Sequence, residues 1–296
     1  MTEQSAGKPA ITQAMIKAYD DYTHLTLDRR GFMERLTRLA GSGAAAAAIV
    51  PLLAANSARA AIVPADDARV EAFDATFPGA DGEMDAYLVL PAGASGPLPA
   101  VLVIHENRGL NQHIRDVARR LAVDGFLALA VDFLSPLGGT PDNEDKAREM
   151  IGQLDGAETT ANAKAARAFL AGHERSNGKV GAVGFCWGGG LVNQLAVHDP
   201  ELDAGVAYYG RQADAGEVGS IEAPLMLHYA GLDERINAGI DAYRAALEAA
   251  GKAFEIHVYD GVNHAFNNDT SEARYDKAAA ELAWSRTVAF FRQHLA

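Results

Sequence analysis

The sequence predicts an α/β domain with a mostly parallel central sheet covered by helices on both faces. Three observations carry that expectation. Residues 100–104, 126–131 and 224–230 are almost wholly apolar runs, the pattern of strands buried on both faces. Between such runs lie segments with helical spacing, as at Ile114, Val117, Ala118, Leu121 and Ala122. The chain also holds 29 glycines, which suits many tight strand-to-helix turns. Strands alternating with helices imply right-handed crossovers.

Taken in order, residues 70–77 and 84–90 form an antiparallel opening hairpin around Pro78-Gly79-Ala80-Asp81-Gly82. Residues 100–104 are the third strand, 111–124 a helix and 126–131 the fourth strand. A Gly- and Pro-containing loop covers 135–140, and helices follow at 141–154 and 158–175. Residues 179–184 form a short buried strand, and 188–197 the helix after it. The sheet continues at 205–209, 224–230 and 254–259, with helices at 238–250 and 271–294. No internal repeat is visible, so 61–296 reads as a single domain.

Composition narrows the function classes. Hydrophobic content of 49% and charged content of 22% are those of a globular protein. A net charge of −13 argues against nucleic-acid or anionic-membrane partners. The histidines show no metal-ligand spacing, and no Gly-x-Gly-x-x-Gly opens a helix after a strand, so neither a metal nor a dinucleotide cofactor is expected.

Residues 1–60 differ in character. Arg29 and Arg30 precede a weakly apolar, alanine-rich stretch at 39–58, and Ala58-Arg59-Ala60 has the small-x-small form of a cleavage site. This pattern is similar to a twin-arginine export signal and linker, which predicts recognition by export machinery and a periplasmic location. Asp28 and Glu34 depart from it, and Pro51 makes the stretch a poor membrane span. The alternative is an N-terminal helix that stays attached, on a cytoplasmic protein.

Chemistry concentrates at Gly184-Phe185-Cys186-Trp187-Gly188-Gly189, which contains the single cysteine of 296 residues. A strand, a sharp Gly-x-Cys-x-Gly turn and a helix make a nucleophile elbow with sulfur in place of oxygen. A lone cysteine is ordinarily a small buried hydrophobe. Here Asp233 and His264 follow in the nucleophile, acid, histidine order, each in a loop just past a strand. Glu234 and Asp260 compete with Asp233 for the acid. Open α/β sheets place their ligands at that edge. Histidine would take the thiol proton, and the aspartate would fix its tautomer.

With Asn263-His264-Ala265-Phe266, His105-Glu106-Asn107-Arg108-Gly109 and Tyr208-Tyr209-Gly210, these residues resemble the dienelactone hydrolase family over roughly 70–296. The resemblance implies the α/β-hydrolase fold and cleavage of small ester or lactone substrates through a thioester, without a cofactor. It implies Cys186 as nucleophile, His264 as base, Asp233 as orienting acid and Glu106 as the carboxylate that contacts the thiol. Backbone N–H groups of Asn107 and Trp187 would form the oxyanion hole. The family's two carboxylate-binding arginines are not matched: their places read Asp132-Phe133-Leu134-Ser135-Pro136 and Asn267-Asn268. Arg108, Arg211 and Arg235, with Tyr209, are the substitute substrate contacts. A binding protein on the same scaffold, or a hydrolase of peptides or thioesters, are the other readings.

Overall fold

The computed structural model describes residues 10–24, 26–54 and 61–296. The proposed cleavage sequence Ala58-Arg59-Ala60 therefore lies outside the described residues. Three helices come first: α1 (Gln13–Thr23), α2 (Arg29–Ala40) and α3 (Gly43–Leu53). The α/β part follows as β1 (Val70–Gly79), β2 (Gly82–Pro91), β3 (Leu98–Ile104), α4 (Gln112–Val123), β4 (Leu127–Val131), α5 (Glu144–Ile151) and α6 (Gly156–Ala171). Then come β5 (Ser176–Phe185), α7 (Trp187–His198), β6 (Ala204–Tyr208), β7 (Leu225–Ala230), α8 (Glu234–Asn237), α9 (Ile240–Ala249), β8 (Phe254–Tyr259) and α10 (Lys277–Leu295).

The eight strands form one sheet in the order β1-β2-β4-β3-β5-β6-β7-β8. The hairpin β1/β2 and the pair β2/β4 are antiparallel, and every other pair is parallel. The expected fold class is the observed one. Alternate residues of β3 and β4 point to opposite sides. Leu102, Ile104, Leu129 and Val131 pack with Leu170 of α6 and Leu195 of α7. Val101, Val103, Ala128 and Ala130 pack with Val117 and Leu121 of α4 and Phe291 of α10.

Several helix ends differ from the expected ones, and three of them are set by side-chain caps. The Asn143 side chain accepts the Lys146 N–H, so α5 begins at Glu144 rather than near 141. The Asp276 side chain accepts the Ala279 N–H, so α10 begins at Lys277, and 271–275 turn back on Ser271. Asp233 caps the extra turn α8, which Gly239 separates from α9. Tyr209 leaves its strand because its φ is 40°.

The elbow between β5 and α7 is crowded by main chain. A Cβ on Gly184 would sit 2.1 Å from the Gly188 carbonyl oxygen, and one on Gly188 would sit 2.5 Å from the carbonyl oxygens of Ile104 and His105. Backbone cannot move aside as a side chain can, so both positions require glycine.

Helices α1–α3 bury their own apolar faces together. Tyr22 stacks on Phe32 at 4.8 Å between centroids, with Tyr19, Leu36, Ile49 and Leu53 beside them. No single described helix is long and apolar enough to cross a membrane, and the pair α2/α3 is bent by 110°. The group lies over the C-terminal edge of the sheet. The Tyr22 hydroxyl donates to Asp145 at 2.7 Å, the Arg108 guanidinium donates to the Tyr19 hydroxyl at 2.7 Å, and Arg148 lies over the Tyr22 ring. After residue 60 the chain is pinned to α4. The Val63 N–H donates to the Asp116 carboxylate at 2.7 Å, and Arg119 Nε donates to the Val63 carbonyl at 2.6 Å.

Gly188→Ala should cost roughly 3 kcal/mol, from overpacking against fixed backbone. Gly156→Ala, at an open position at the start of α6, should change stability by less than about 1 kcal/mol. Urea denaturation of the two variants checks the contrast.

Candidate active site

Cys186 sits between β5 and α7 with φ 55° and ψ −113°, a conformation rare outside glycine. Its N–H donates to the Tyr208 carbonyl at 3.0 Å, which ties the turn to the neighbouring strand. The side chain therefore projects from the sheet edge and stays 8% exposed. Trp187 begins α7, so its N–H is among the first-turn donors that a helix leaves without internal partners.

Asp233 and His264 arrive from the ends of β7 and β8. Asp233 Oδ1 accepts the Ile236 N–H, and Oδ2 accepts from His264 Nδ1 at 2.5 Å. With Nδ1 held by the aspartate, Nε2 is the ring nitrogen left to act, and it is buried without a hydrogen-bond partner. Burial pushes the Asp233 carboxyl up, but the His264 imidazole outweighs it and holds the group down at about 2. Burial works against a charge on His264, yet Asp20, Asp233 and the Cys186 sulfur raise it well above its ordinary value.

A hydrogen-bond partner of the sulfur comes from outside the predicted set. His24, at the end of α1, places Nε2 3.3 Å from Cys186 Sγ. Its Nδ1 is 2.8 Å from the Asp20 carbonyl oxygen, and its ring meets that of His264 edge-on at 4.6 Å between centroids. The side-chain donor atoms of His24, Cys186 and His264 lie within 4.8 Å of one another. Burial alone would push the thiol up. The His264 and His24 imidazoles overcome it and bring Cys186 down to about 6. A thiolate paired with imidazolium is thus the favoured state near neutrality.

The other predicted residues separate into two groups. Asn107, Trp187, Tyr209, Arg211 and Arg235 line a cleft of about 950 Å³ that reaches Cys186 and His264, with Thr23, His24 and Thr26 on its wall. Glu106 and Arg108 belong to a buried network beside it. Glu106, expected against the thiol, instead accepts from Asn268 Nδ2 at 2.8 Å. Burial opposes its ionisation, but His113, Arg108 and Arg274 keep its carboxyl below the ordinary value. Arg108 is engaged by Glu144 and Tyr19 and does not line the cleft. Asn107 Nδ2 donates to the Thr23 carbonyl at 2.6 Å, so α1 also steadies the segment after β3.

Two further histidines support the frame. His105 stacks on Trp187 and, through Nδ1, donates to the Glu106 carbonyl at 2.6 Å. His228 is enclosed by Thr287 and the Tyr259 hydroxyl, and burial keeps it neutral. His24 was missed because its segment reads as a signal. One clue was present: the stretch before the arginines carries Asp20, Asp21 and Asp28, whereas export signals open on positive charge.

A family model described as "Dienelactone hydrolase family" matches residues 84–295. The chain belongs to the dienelactone hydrolase family. A Methylorubrum extorquens relative named "Putative carboxymethylenebutenolidase" is 34% identical over 207 residues, covering 65% of this chain and 71% of its own. A Klebsiella pneumoniae crystal structure named "Putative Dienelactone Hydrolase" is 32% identical with a TM-score of 0.70, covering 76% of this chain and 99% of that one. A dienelactone hydrolase-like promiscuous phosphotriesterase, P91, from metagenomic libraries is 25% identical with a TM-score of 0.70, covering 77% and 100%. The family model begins in β2, so α1–α3 and His24 lie outside it.

Iodoacetamide labelling of Cys186 should rise with pH through an inflection near 6, because the lowered thiol is ionised above that value. An inflection near the free-thiol value of about 8.5 would show that the imidazoles do not act on the sulfur.

Proposed function

We propose that this dienelactone hydrolase family member cleaves esters or lactones through a Cys186-His264-Asp233 triad and a thioester intermediate. The observation that carries the reading is a thiol at positive φ on an elbow, beside a histidine braced by a buried aspartate. The Cys186 thiolate attacks the carbonyl carbon. Developing negative charge on oxygen meets the N–H groups of Trp187 and Asn107. The C–O bond breaks, and the departing alkoxide takes a proton from His264, giving a thioester and an alcohol. In a lactone the alcohol stays attached to the acyl group. Water then gives a proton to His264 and attacks the thioester. The carboxylic acid leaves, and the thiolate and imidazolium are restored.

The cleft supports a small-molecule substrate. Arg211 and Arg235, both exposed on its wall, are cations that an acidic substituent could meet, with the buried Arg148 also on the wall. Export through the twin arginines, with the segment remaining attached, is the location we propose. Arg29 and Arg30 are exposed on α2, where a receptor can reach them.

Cys186→Ala should lower kcat/KM for a chromogenic ester by at least about a thousandfold; turnover equal to the unaltered protein would refute the mechanism. Arg211→Ala/Arg235→Ala should raise KM several-fold for esters bearing a carboxylate and leave neutral esters unaffected. Equal effects on both substrate classes would remove the arginines from recognition. Activity confined to the cytoplasmic fraction of the native host would overturn export.

A further inference from the structure

We propose that His24, carried by the N-terminal helices, is a catalytic residue of this enzyme, which shares the Cys186 proton and supports the sulfur anion. The inference rests on the hydrolase reading above and adds to it a residue from outside the matched family region. Three features of α1 converge on the catalytic loops. His24 Nε2 faces Cys186 Sγ at 3.3 Å, the Thr23 carbonyl accepts from Asn107 Nδ2 at 2.6 Å, and the Tyr19 hydroxyl accepts from Arg108 at 2.7 Å. The segment does not plug the site, because the cleft of about 950 Å³ remains open to Cys186 with Thr23, His24 and Thr26 as its wall. It completes the site.

The tautomer of His24 follows from its partners. A carbonyl oxygen only accepts, so Nδ1, 2.8 Å from the Asp20 carbonyl, carries a hydrogen. In neutral His24 the Nε2 lone pair therefore faces the sulfur and accepts the S–H. On ionisation the S–H bond breaks, an Nε2–H bond forms, and the imidazolium donates that hydrogen to the thiolate. One hydrogen lies between the two atoms in both states, and nothing else is consumed. His264, with its Nε2 free of partners, stays available to the leaving oxygen and the water.

Other charged groups surround the pair. Arg108, from the end of β3, interacts with the sulfur. Asp20, from α1, and Asp233, from the end of β7, act on His264. Glu106, also from the end of β3, is tied to Arg108 and to Arg274 from the loop before α10. Tyr209, after β6, is held neutral by burial. The pH response of Cys186 reports their sum, and the difference between variants isolates His24.

The experiment uses the full chain with His24→Ala, His24→Asn and Cys186→Ala. The readouts are iodoacetamide labelling and kcat/KM for a chromogenic ester between pH 5.5 and 9. Loss of His24 should move the labelling inflection up by about one pH unit, a tenfold loss of thiolate below it. It should lower kcat/KM about eightfold at pH 5.5 and about threefold at pH 6.5, with the deficit vanishing toward pH 9 as the thiol ionises unaided. Imidazole added to His24→Ala should restore part of the rate. A deficit constant across pH and not rescued would mean a merely structural role and overturn the proposal. So would an inflection and kcat/KM within twofold of the unaltered protein, when Cys186→Ala is inactive. His24→Asn keeps a hydrogen-bonding side chain without a titratable ring, and a melting temperature matching the parent shows that it folds. An active Cys186→Ala would instead sink the hydrolase reading itself. Protein from the native host that begins after residue 60 and is fully active would also overturn the role of His24.

Discussion

The conformation of Cys186 is the constraint on which the site depends. A residue at φ 55° survives only when its surroundings leave it no alternative. Here the surroundings are main chain. Gly184 and Gly188 bring β5 and α7 into contact with each other and with the end of β3, and Tyr208 holds the Cys186 N–H from the next strand. The sulfur's direction, the start of α7 and the place of the Trp187 N–H are thus one geometric fact. The parallel centre of the sheet supplies the rigidity, since β3, β5 and β6 are buried on both faces where they meet the elbow.

Electrostatics then decides what the sulfur can do. Two imidazoles stand near one buried thiol, and each has its Nδ1 anchored by an aspartate, His264 through the Asp233 carboxylate and His24 through the Asp20 carbonyl. An ionised Glu106 against the sulfur would oppose thiolate formation, because like charges repel. One oxygen of its carboxylate is instead held by Asn268, and its charge is offset by His113, Arg108 and Arg274. Asn268 stands in the segment where the family carries a substrate-binding arginine. The same position that leaves the cleft without that cation hydrogen-bonds Glu106.

Much of this architecture is legible in the residues. Apolar runs such as 100–104 mark strands buried on both faces, and Gly-x-Cys-x-Gly needs so particular a turn that it locates the elbow alone. Asp233 and His264 follow because a parallel sheet delivers successive loops to the same edge. Helix starts were less legible. Caps at Asn143 and Asp276 depend on a short polar side chain competing for backbone donors, and hydrophobic periodicity does not register that competition. His24 was hidden for a different reason. Its partner is 162 positions away, and nothing local in Tyr22-Thr23-His24 distinguishes a residue that folds back onto an active site from one in a discarded leader.

The clamp of Asp116 and Arg119 on Val63 bears on how the N-terminal helices behave as a moving part. Only the six residues 55–60 separate the described end of the helical group from the stretch leading to that clamp. A covalent connection that short keeps α1–α3 within reach of the cleft in every copy of the protein. Detachment would be followed by unimolecular return, at a rate independent of how dilute the protein is. A ligand entering the open cleft would then meet a wall made by the same chain, present once per site however dilute the protein.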